Sequence, residues 1–576
     1  MWRLCSDLRP FFASLWIVLA PLLLSPLLFL GSKEASCVFC ICLLTAYWVA
    51  EVVPIAVTSL LPLLLFPVLT VLSTNDTAQQ YLKDTTMLFV VTLIAAIAVE
   101  ECGLHRRIAL NVLSRTGGRF SWSLAAFAVS TAFISFWMVD TAATALMIPI
   151  AMAALKEMKH GDEEASASSV PQIEEDHVGK RLEGLPPRDR GIWKCMVLMC
   201  GHASLIGGTG TITATGPNLI FRDNLQSWYP EGRGVEVTYL SWMAFAIPPL
   251  CGYLAASWLV LQVVFLGPKS LLEIVRLPHG EAARKAAQMA RSIQKARDSL
   301  GPMTFAEKST LMLYGIMIAT WMLRDPGFAT GWGALLDADK RRMVSDTCVG
   351  ILIVFLFFAW PRDIPDLLCF RKSLSPAYPL SLTLSDLSRP PVTRRALLTW
   401  EAVHRKLPWS VIFLIGSGFA ISKAVQTSGL SHSVSCLVLD TMRGSTPLQI
   451  QATLTVAVTF VTECMSNSAT ASIFIPISLS IAETLRLHPL YLAIPSAIGP
   501  SFSFMFPAAT APNAIVYETG VLRMWEMAVT GFILNILCIL ITILNTNTWA
   551  FWFFGMARFP DGIPERNLTT SCAAIA

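Results

Sequence analysis

Apolar runs long enough to cross about 30 Å of hydrocarbon recur along the whole chain, from FFASLWIVLAPLLLSPLLFL at 11–30 to MAVTGFILNILCILITILNT at 527–546. Three hydrophilic stretches interrupt them, at 156–192, 267–308 and 361–407. Between the breaks the pattern predicts full spans near 11–30, 36–52, 55–72, 85–104, 241–266, 309–323, 343–360, 409–428 and 526–549. Two longer apolar stretches, 193–222 and 489–521, carry Gly, Pro, Thr and Asn at their centres and read as broken spans. The segment 280–300 reads as a polar surface helix, either a solvated connector or a lipid-binding element.

Charge sets the orientation. The stretches 267–308 and 361–407 carry eight Lys/Arg each, and the linker 105–119 adds four with no acid, which places all three in the cytoplasm. The N-terminus is then cytoplasmic and the C-terminus extracellular. The sequons Asn75-Asp76-Thr77 and Asn567-Leu568-Thr569 fall outside, where either asparagine can carry a glycan. The run Lys340-Arg341-Arg342 counts against this assignment, because its loop would be external. Given the orientation, the apolar pair 121–137 and 141–158 starts and ends in cytoplasm and must double back at Met138-Val139-Asp140. The pair 446–463 and 469–486 does the same from outside. The backbone of such a re-entrant tip is tolerable only against protein or a watery cavity.

The two tips superpose without a gap, Met138-VDTAATALM-Ile148-Pro149-Ile150 on Met465-SNSATASIF-Ile475-Pro476-Ile477. The broken spans match as Ala214-Thr215-Gly216-Pro217-Asn218 and Ala509-Thr510-Ala511-Pro512-Asn513, and the preceding spans end in Gly103-Leu104 and Gly429-Leu430. Matched features in one order, with opposite hairpin directions, define inverted repeats. Discontinuous helices of inverted repeats meet at the midplane in secondary transporters. There the C-terminal carbonyls of one half-helix suit a cation and the N-terminal amides of the next suit an anion. Ser135 and Thr462, five residues before Asp140 and Asn467, offer further oxygen ligands, or bond back to their own helix carbonyls.

Composition narrows the class. The chain of 576 residues is 54% hydrophobic and 14% charged, with a mean hydropathy of +0.58, so the bilayer is its solvent and no sizeable soluble domain remains. The first run is too long for a signal peptide and lacks a cleavage site. Of fourteen cysteines, Cys37, Cys40 and Cys42 cluster in an apolar run, where buried thiols are the ordinary case. The net charge of +4 resides in loops between spans and points to no nucleic-acid partner. Neither tip offers a nucleophile with base and orienter, which argues against an enzyme.

These motifs resemble the divalent anion/sodium symporters, solute carrier family 13. The resemblance rests on Met465-Ser466-Asn467-Ser468-Ala469-Thr470, on Ile206-Gly207-Gly208-Thr209-Gly210-Thr211-Ile212-Thr213-Ala214-Thr215-Gly216-Pro217-Asn218 and on Ala509-Thr510-Ala511-Pro512-Asn513. YWVAEVVPIAVTSLLP at 47–62, LHRRIAL at 104–110 and RDPGF at 324–328 extend it over nearly the whole chain. It implies an all-α polytopic membrane protein, an inverted-repeat elevator-type homodimer with about eleven transmembrane helices and two re-entrant hairpins. It implies Na⁺ as the coupled ion, with di- or tricarboxylates such as succinate and citrate, or sulfate, as cargo. By the same resemblance one Na⁺ site comprises Ser135, Val139, Asp140 and Gly208, and a second Thr462, Met465, Asn467 and Ala509. Substrate falls to Asp140, Thr141, Thr213, Ala214, Thr215, Pro217, Asn467, Ser468, Thr510 and Pro512.

The first tip departs from the family's Ser-Asn-Thr pattern. Val139 lacks the usual hydroxyl, and Asp140 replaces an amide donor with a group that, ionised, only accepts. Ala214 stands where dicarboxylate and citrate members have glycine, which implies a narrower pocket. Asp140 either caps the half-helix beginning at Thr141 or sits against the first Na⁺ site, since an intramembrane carboxylate usually has a cation or proton as partner. Glu463 reads as a buried structural acid, Glu51 and Lys423 as packing or interfacial partners, and Trp48, Trp400 and Trp409 as interfacial anchors.

The expected organisation is scaffold spans in 1–104, a first repeat core in 105–222, further scaffold and cytoplasmic loops in 223–408, a second repeat core in 409–521 and a last span with its tail in 522–576. The expected function is Na⁺-coupled uptake of a divalent anion at the plasma membrane. A sulfate cotransporter is the alternative, as is a divergent member with altered coupling or lost transport. A passive anion channel and a membrane scaffold are the rivals.

Overall fold

The computed structural model describes residues 12–50, 52–114, 120–163, 186–230, 235–268, 270, 281–326, 330–336, 343–363, 395–430, 433–434, 436, 444–507, 509–560 and 563. Its architecture is all-helical apart from one isolated bridge between Pro361 and Ala396. A chain in hydrocarbon satisfies each backbone group internally, and the helix does so within one segment. Helix starts follow local chemistry. Thr238 with Ser241, Thr304 with Glu307 and Thr446 with Gln449 form capping boxes, while prolines open Pro187–Gly208, Gly216–Trp228, Pro447–Val461 and Pro489–Ile498. Proline suits these positions because the first-turn amide it lacks has no helical acceptor.

Both hairpins and both broken spans are present. The first hairpin is Phe120–Trp137 and Asp140–Glu163, and the second is Pro447–Val461 and Asn467–Thr484. Each broken span is a helix, an unwound segment and a second helix: Pro187–Gly208 before Gly216–Trp228, and Pro489–Ile498 with its 3-10 turn before Ala511–Glu518. The first halves of the broken spans are buried along almost their whole length and form the centre of the molecule.

Several expectations need correction. The span expected at 55–72 is two short helices, Ile55–Thr58 and Pro62–Val68, because Pro54 and Pro62 each force a new start. The span expected from 85 begins at Asp84 and is preceded by a separate helix, Thr74–Tyr81. Asn75 is exposed on that helix, whereas Thr77 of its sequon is buried and donates to the Ser73 carbonyl at 2.8 Å. Trp48 is buried and donates to the Ser59 hydroxyl at 3.3 Å, so it is no interfacial anchor; Trp400 and Trp409 are exposed as expected of anchors. Lys423 is exposed. Asn567 and Glu51 lie outside the described residues. Among the described residues six helices are long and apolar enough to cross a membrane, and further apolar helices are shorter.

Close approach at the centre depends on glycine. A Cβ on Gly207 would lie 2.5–2.9 Å from the Ala132 backbone O, Cα and C, so the first hairpin arm and helix 187–208 touch backbone to backbone. Backbone cannot retreat as a side chain can, so Gly207→Ala forces the helices apart at an expected cost of about 1–3 kcal/mol. The thermal midpoint of the detergent-solubilised protein measures this, and an unchanged midpoint would contradict the close contact.

Candidate functional site

The half-helices that begin beyond the two breaks are built alike. Thr215 and Thr510 precede them in extended conformation, with φ/ψ of −134/152° and −149/150°. Asn218 Nδ2 donates to the carbonyls ten and seven residues earlier, Gly208 at 3.2 Å and Thr211 at 2.8 Å. Asn513 Nδ2 does the same at the same two spacings, to Ser503 at 2.6 Å and Phe506 at 3.1 Å. Each asparagine thus closes its unwound loop onto the helix that follows. Thr215 Oγ1, Thr510 Oγ1, Asn218 Oδ1 and Asn513 Oδ1 are all buried and without a hydrogen-bond partner in the protein. Buried oxygens are rarely left so, and four in symmetric pairs at two helix starts are suited to cations and to a bound polar solute.

The tips meet the opposite repeat. Helix 216–228 packs on the second hairpin arm 467–484, and helix 511–518 packs on the first hairpin arm 140–163. At the first contact a Cβ on Gly216 would overlap Ser468 Oγ, so glycine there lets the second tip reach the first broken span. Ser468, Gly216, Pro217 and Thr215 therefore share one wall. Thr213 and Ala214, in the same unwound segment, are buried, as is Pro512 beside Thr510.

The second tip is tied to its own broken span by hydroxyls. Thr462 Oγ1 lies 3.1 Å from Asn467 Oδ1 and 2.9 Å from the Pro500 carbonyl, and the Ser503 hydroxyl donates to Asn467 Oδ1 at 3.0 Å. With its oxygen engaged by these hydroxyls, the Asn467 amide presents Nδ2 as a donor. Met465 and Ala509 are buried beside this tip and break respectively. Ser466 caps the half-helix by accepting from Ala469 N at 3.3 Å. Behind the tip, Glu463 accepts from the backbone amides of Phe504 at 2.9 Å and Met505 at 3.1 Å and from Asn535 Nδ2 at 2.7 Å, confirming a buried, fully engaged acid.

The first tip is organised differently. Ser135 Oγ donates to the Ser204 carbonyl at 2.6 Å, and the Ser204 hydroxyl meets Thr144 Oγ1 at 2.5 Å. Gly208 occupies the register position of Ser503, so no hydroxyl there reaches Asp140. Asp140 bonds within the tip instead, its Oδ1 accepting from Thr141 N at 2.7 Å and Thr141 Oγ1 at 3.3 Å. It is the first residue of helix 140–163 rather than its cap; Val139 stands at the cap position, its carbonyl accepting from Ala143 N at 3.1 Å. The last carbonyls of the first arm already accept hydrogen bonds, Phe136 O from Thr211 Oγ1 at 2.8 Å and Trp137 O from Tyr314 Oη at 2.6 Å.

Sequence reasoning missed Ser204, Ser503 and the Asn218 and Asn513 clamps. Extending the repeat register across the broken spans would have paired Gly208 with Ser503; Ser204 carries no comparable signal. Among the described residues no group of three or more His, Cys, Asp or Glu is arranged to hold a metal ion, and Cys37 and Cys40 are buried free thiols.

Two inverted halves, each with a hairpin and an interrupted helix converging on buried polar groups, define an all-α polytopic membrane transporter. The model of the sodium:sulfate symporter transmembrane region matches residues 7–556, and the chain belongs to that family. It is 47% identical to an uncharacterised transporter of Caenorhabditis elegans, covering 96% of each chain. It is 43% identical to sodium-dependent high-affinity dicarboxylate transporter 2 of the same organism, covering 97% of each. With solute carrier family 13 member 2 of Oryctolagus cuniculus it shares 37% identity over 97% of this chain and 96% of the relative.

Proposed function

We propose that the chain couples inward Na⁺ flow to uptake of a divalent anion, with succinate and citrate preferred over sulfate. The single observation that carries this is the symmetric pair of asparagine-closed breaks, each leaving a buried asparagine oxygen suited to a cation and a buried threonine hydroxyl at a half-helix N-terminus suited to an anion. Na⁺ and anion held together lessen each other's cost in low dielectric. The preference for dicarboxylate is supported by the name of the relative at 43% identity. In this assignment Ser135, Val139, Asp140 and Gly208 surround one Na⁺, and Thr462, Met465, Asn467 and Ala509 a second. Asn467, Ser468, Thr141, Thr213, Thr215 and Thr510 face the carboxylates, with Ala214, Pro217 and Pro512 shaping the wall. The protein works as a homodimer in the plasma membrane, N-terminus inside and C-terminus outside. The membrane potential adds about 2.3 kcal/mol per net charge per 100 mV.

Proteoliposome uptake of labelled succinate, citrate and sulfate, in Na⁺ and in choline, tests this. Succinate uptake at least tenfold higher in Na⁺, saturable and accumulating against a gradient, is the expected result. Equal uptake in choline would leave a passive channel as the better account.

A second reading is favoured by one observation: Asp140 has no cationic side chain paired with it among the described residues. Coupling at the first site then involves a further cation or a proton held by this carboxyl, and its ion dependence differs from that of a transporter with two asparagine tips.

A further inference from the structure

The two half-helices correspond residue by residue from Thr215 and Thr510 onward, yet their far ends are treated differently. In the first, three consecutive polar residues reach three neighbours. Arg222 Nη2 pairs with Asp346 Oδ2 at 2.6 Å, Asp223 Oδ2 accepts from Lys83 Nζ at 2.9 Å, and Asn224 Oδ1 accepts from the Ser422 hydroxyl. The partners stand on or immediately before helices Asp346–Ala359, Asp84–Glu101 and Trp409–Ser428, which supply none of the tip or break residues described above. In the second half-helix the matching residues are Tyr517, Glu518 and Thr519. Tyr517 is 42% exposed, and Glu518 is exposed and makes no ion pair among the described residues.

The flanking helices obey the same repeat relation. Ser73 caps the short helix 74–81, helix 84–101 follows, and Gly103 closes it at φ 76°. Thr399 caps the short helix Trp400–Lys406, helix 409–428 follows, and Gly429 closes it at φ 83°. Lys83 lies immediately before the first long helix. Its register match is Trp409, and the nearest basic side chain on the same connection, one turn earlier, is Lys406. That lysine rests on Glu100 at 2.7 Å and Glu101 at 2.8 Å, with both acids partly exposed. Partly exposed pairs of this kind are weak and exchangeable.

Two inverted halves of one chain can exchange roles, so an asymmetry seen in one conformation is expected reversed in the other. The geometry points to a pair of alternating ion-pair latches. Lys83–Asp223, reinforced by Arg222–Asp346, fastens one face in the conformation seen here. Lys406–Glu518 fastens the opposite face in the other conformation, in which Lys83–Asp223 is parted. The inference rests on the transport reading, since a protein that opens its site to both faces is one that needs the second latch. Two latches of like chemistry also keep the conformations close in free energy, because the pair lost on one side is replaced on the other.

The full chain in proteoliposomes tests this with two cysteine pairs, Lys83→Cys with Asp223→Cys and Lys406→Cys with Glu518→Cys. Each is treated with a short bis-methanethiosulfonate, and linked peptides are quantified by mass spectrometry, which separates them from links to native cysteines. Both pairs are expected to link. Charge reversal by Lys83→Glu, which breaks the first latch, is expected to raise the 406–518 link at least threefold. Asp223→Asn serves the same purpose if Lys83→Glu does not give a monodisperse protein. Absence of the 406–518 link, or a yield indifferent to both substitutions, overturns the proposal. Cross-linking needs no substrate, so both links in a protein without Na⁺-driven uptake would remove the transport reading and retain the latches. Normal uptake without the 406–518 link would remove the latches alone.

Discussion

Glu463→Ala is expected to reduce Na⁺-driven uptake at least a hundredfold and to lower the thermal midpoint of the purified protein. Its carboxylate gathers the amides of Phe504 and Met505 and the side chain of Asn535, and so ties the second tip and the second break to helix Met524–Asn545. Removing it leaves three buried donors unpaired, at about 1–3 kcal/mol each. The unwound segment it holds carries Ser503 and Ala509, so the proposed second cation site loses its shape as well as its stability. Glu463→Gln keeps one acceptor but turns an amide group toward backbone donors, and an intermediate loss is expected. Uptake by Glu463→Ala above a tenth of the wild-type rate would show that the segment holds its shape without this acid. The first repeat manages the same place by packing: the Phe136 ring lies against Gly210, where any Cβ would overlap it.

Asp140→Asn makes the first tip resemble the second and is expected to raise the Na⁺ concentration for half-maximal succinate uptake about tenfold, equivalent to about 1.4 kcal/mol. The sign follows from charge. An ionised carboxylate within a membrane span usually has a partner, and this side chain bonds only within the tip, to Thr141. A cation from solution is then the natural partner, and the neutral amide binds it less well. Sodium titrations at two pH values separate the alternatives: a shifted Na⁺ curve assigns the cation, whereas an altered pH profile with an unchanged Na⁺ curve assigns a proton. If sodium affinity, pH profile and anion selectivity all stay the same, Asp140 has no part in coupling.

Much of this architecture was legible in the chain itself. The matched strings around Asp140 and Asn467, and around Asn218 and Asn513, located both tips and both breaks, because a polar, proline-marked interruption of an apolar run has few tolerable structures in a bilayer. The helix count near Pro54 and Pro62 was harder, since apolarity persists across a proline that ends a helix. Ser204 and the partners of Arg222, Asp223 and Asn224 carried no local pattern at all. Their roles depend on which helices are neighbours.

Alone, the sequence determined the membrane class and the inverted repeat, since both follow from local composition, spacing and backbone chemistry. The tertiary structure decided that the second arm of each hairpin packs on the broken span of the other repeat. It also decided that Asp140 turns to Thr141 while Asn467 turns to Ser503, and that one far end is fastened while its counterpart is exposed. Such contacts join residues far apart in the chain, and their geometry is set by packing of whole helices, which no short stretch encodes.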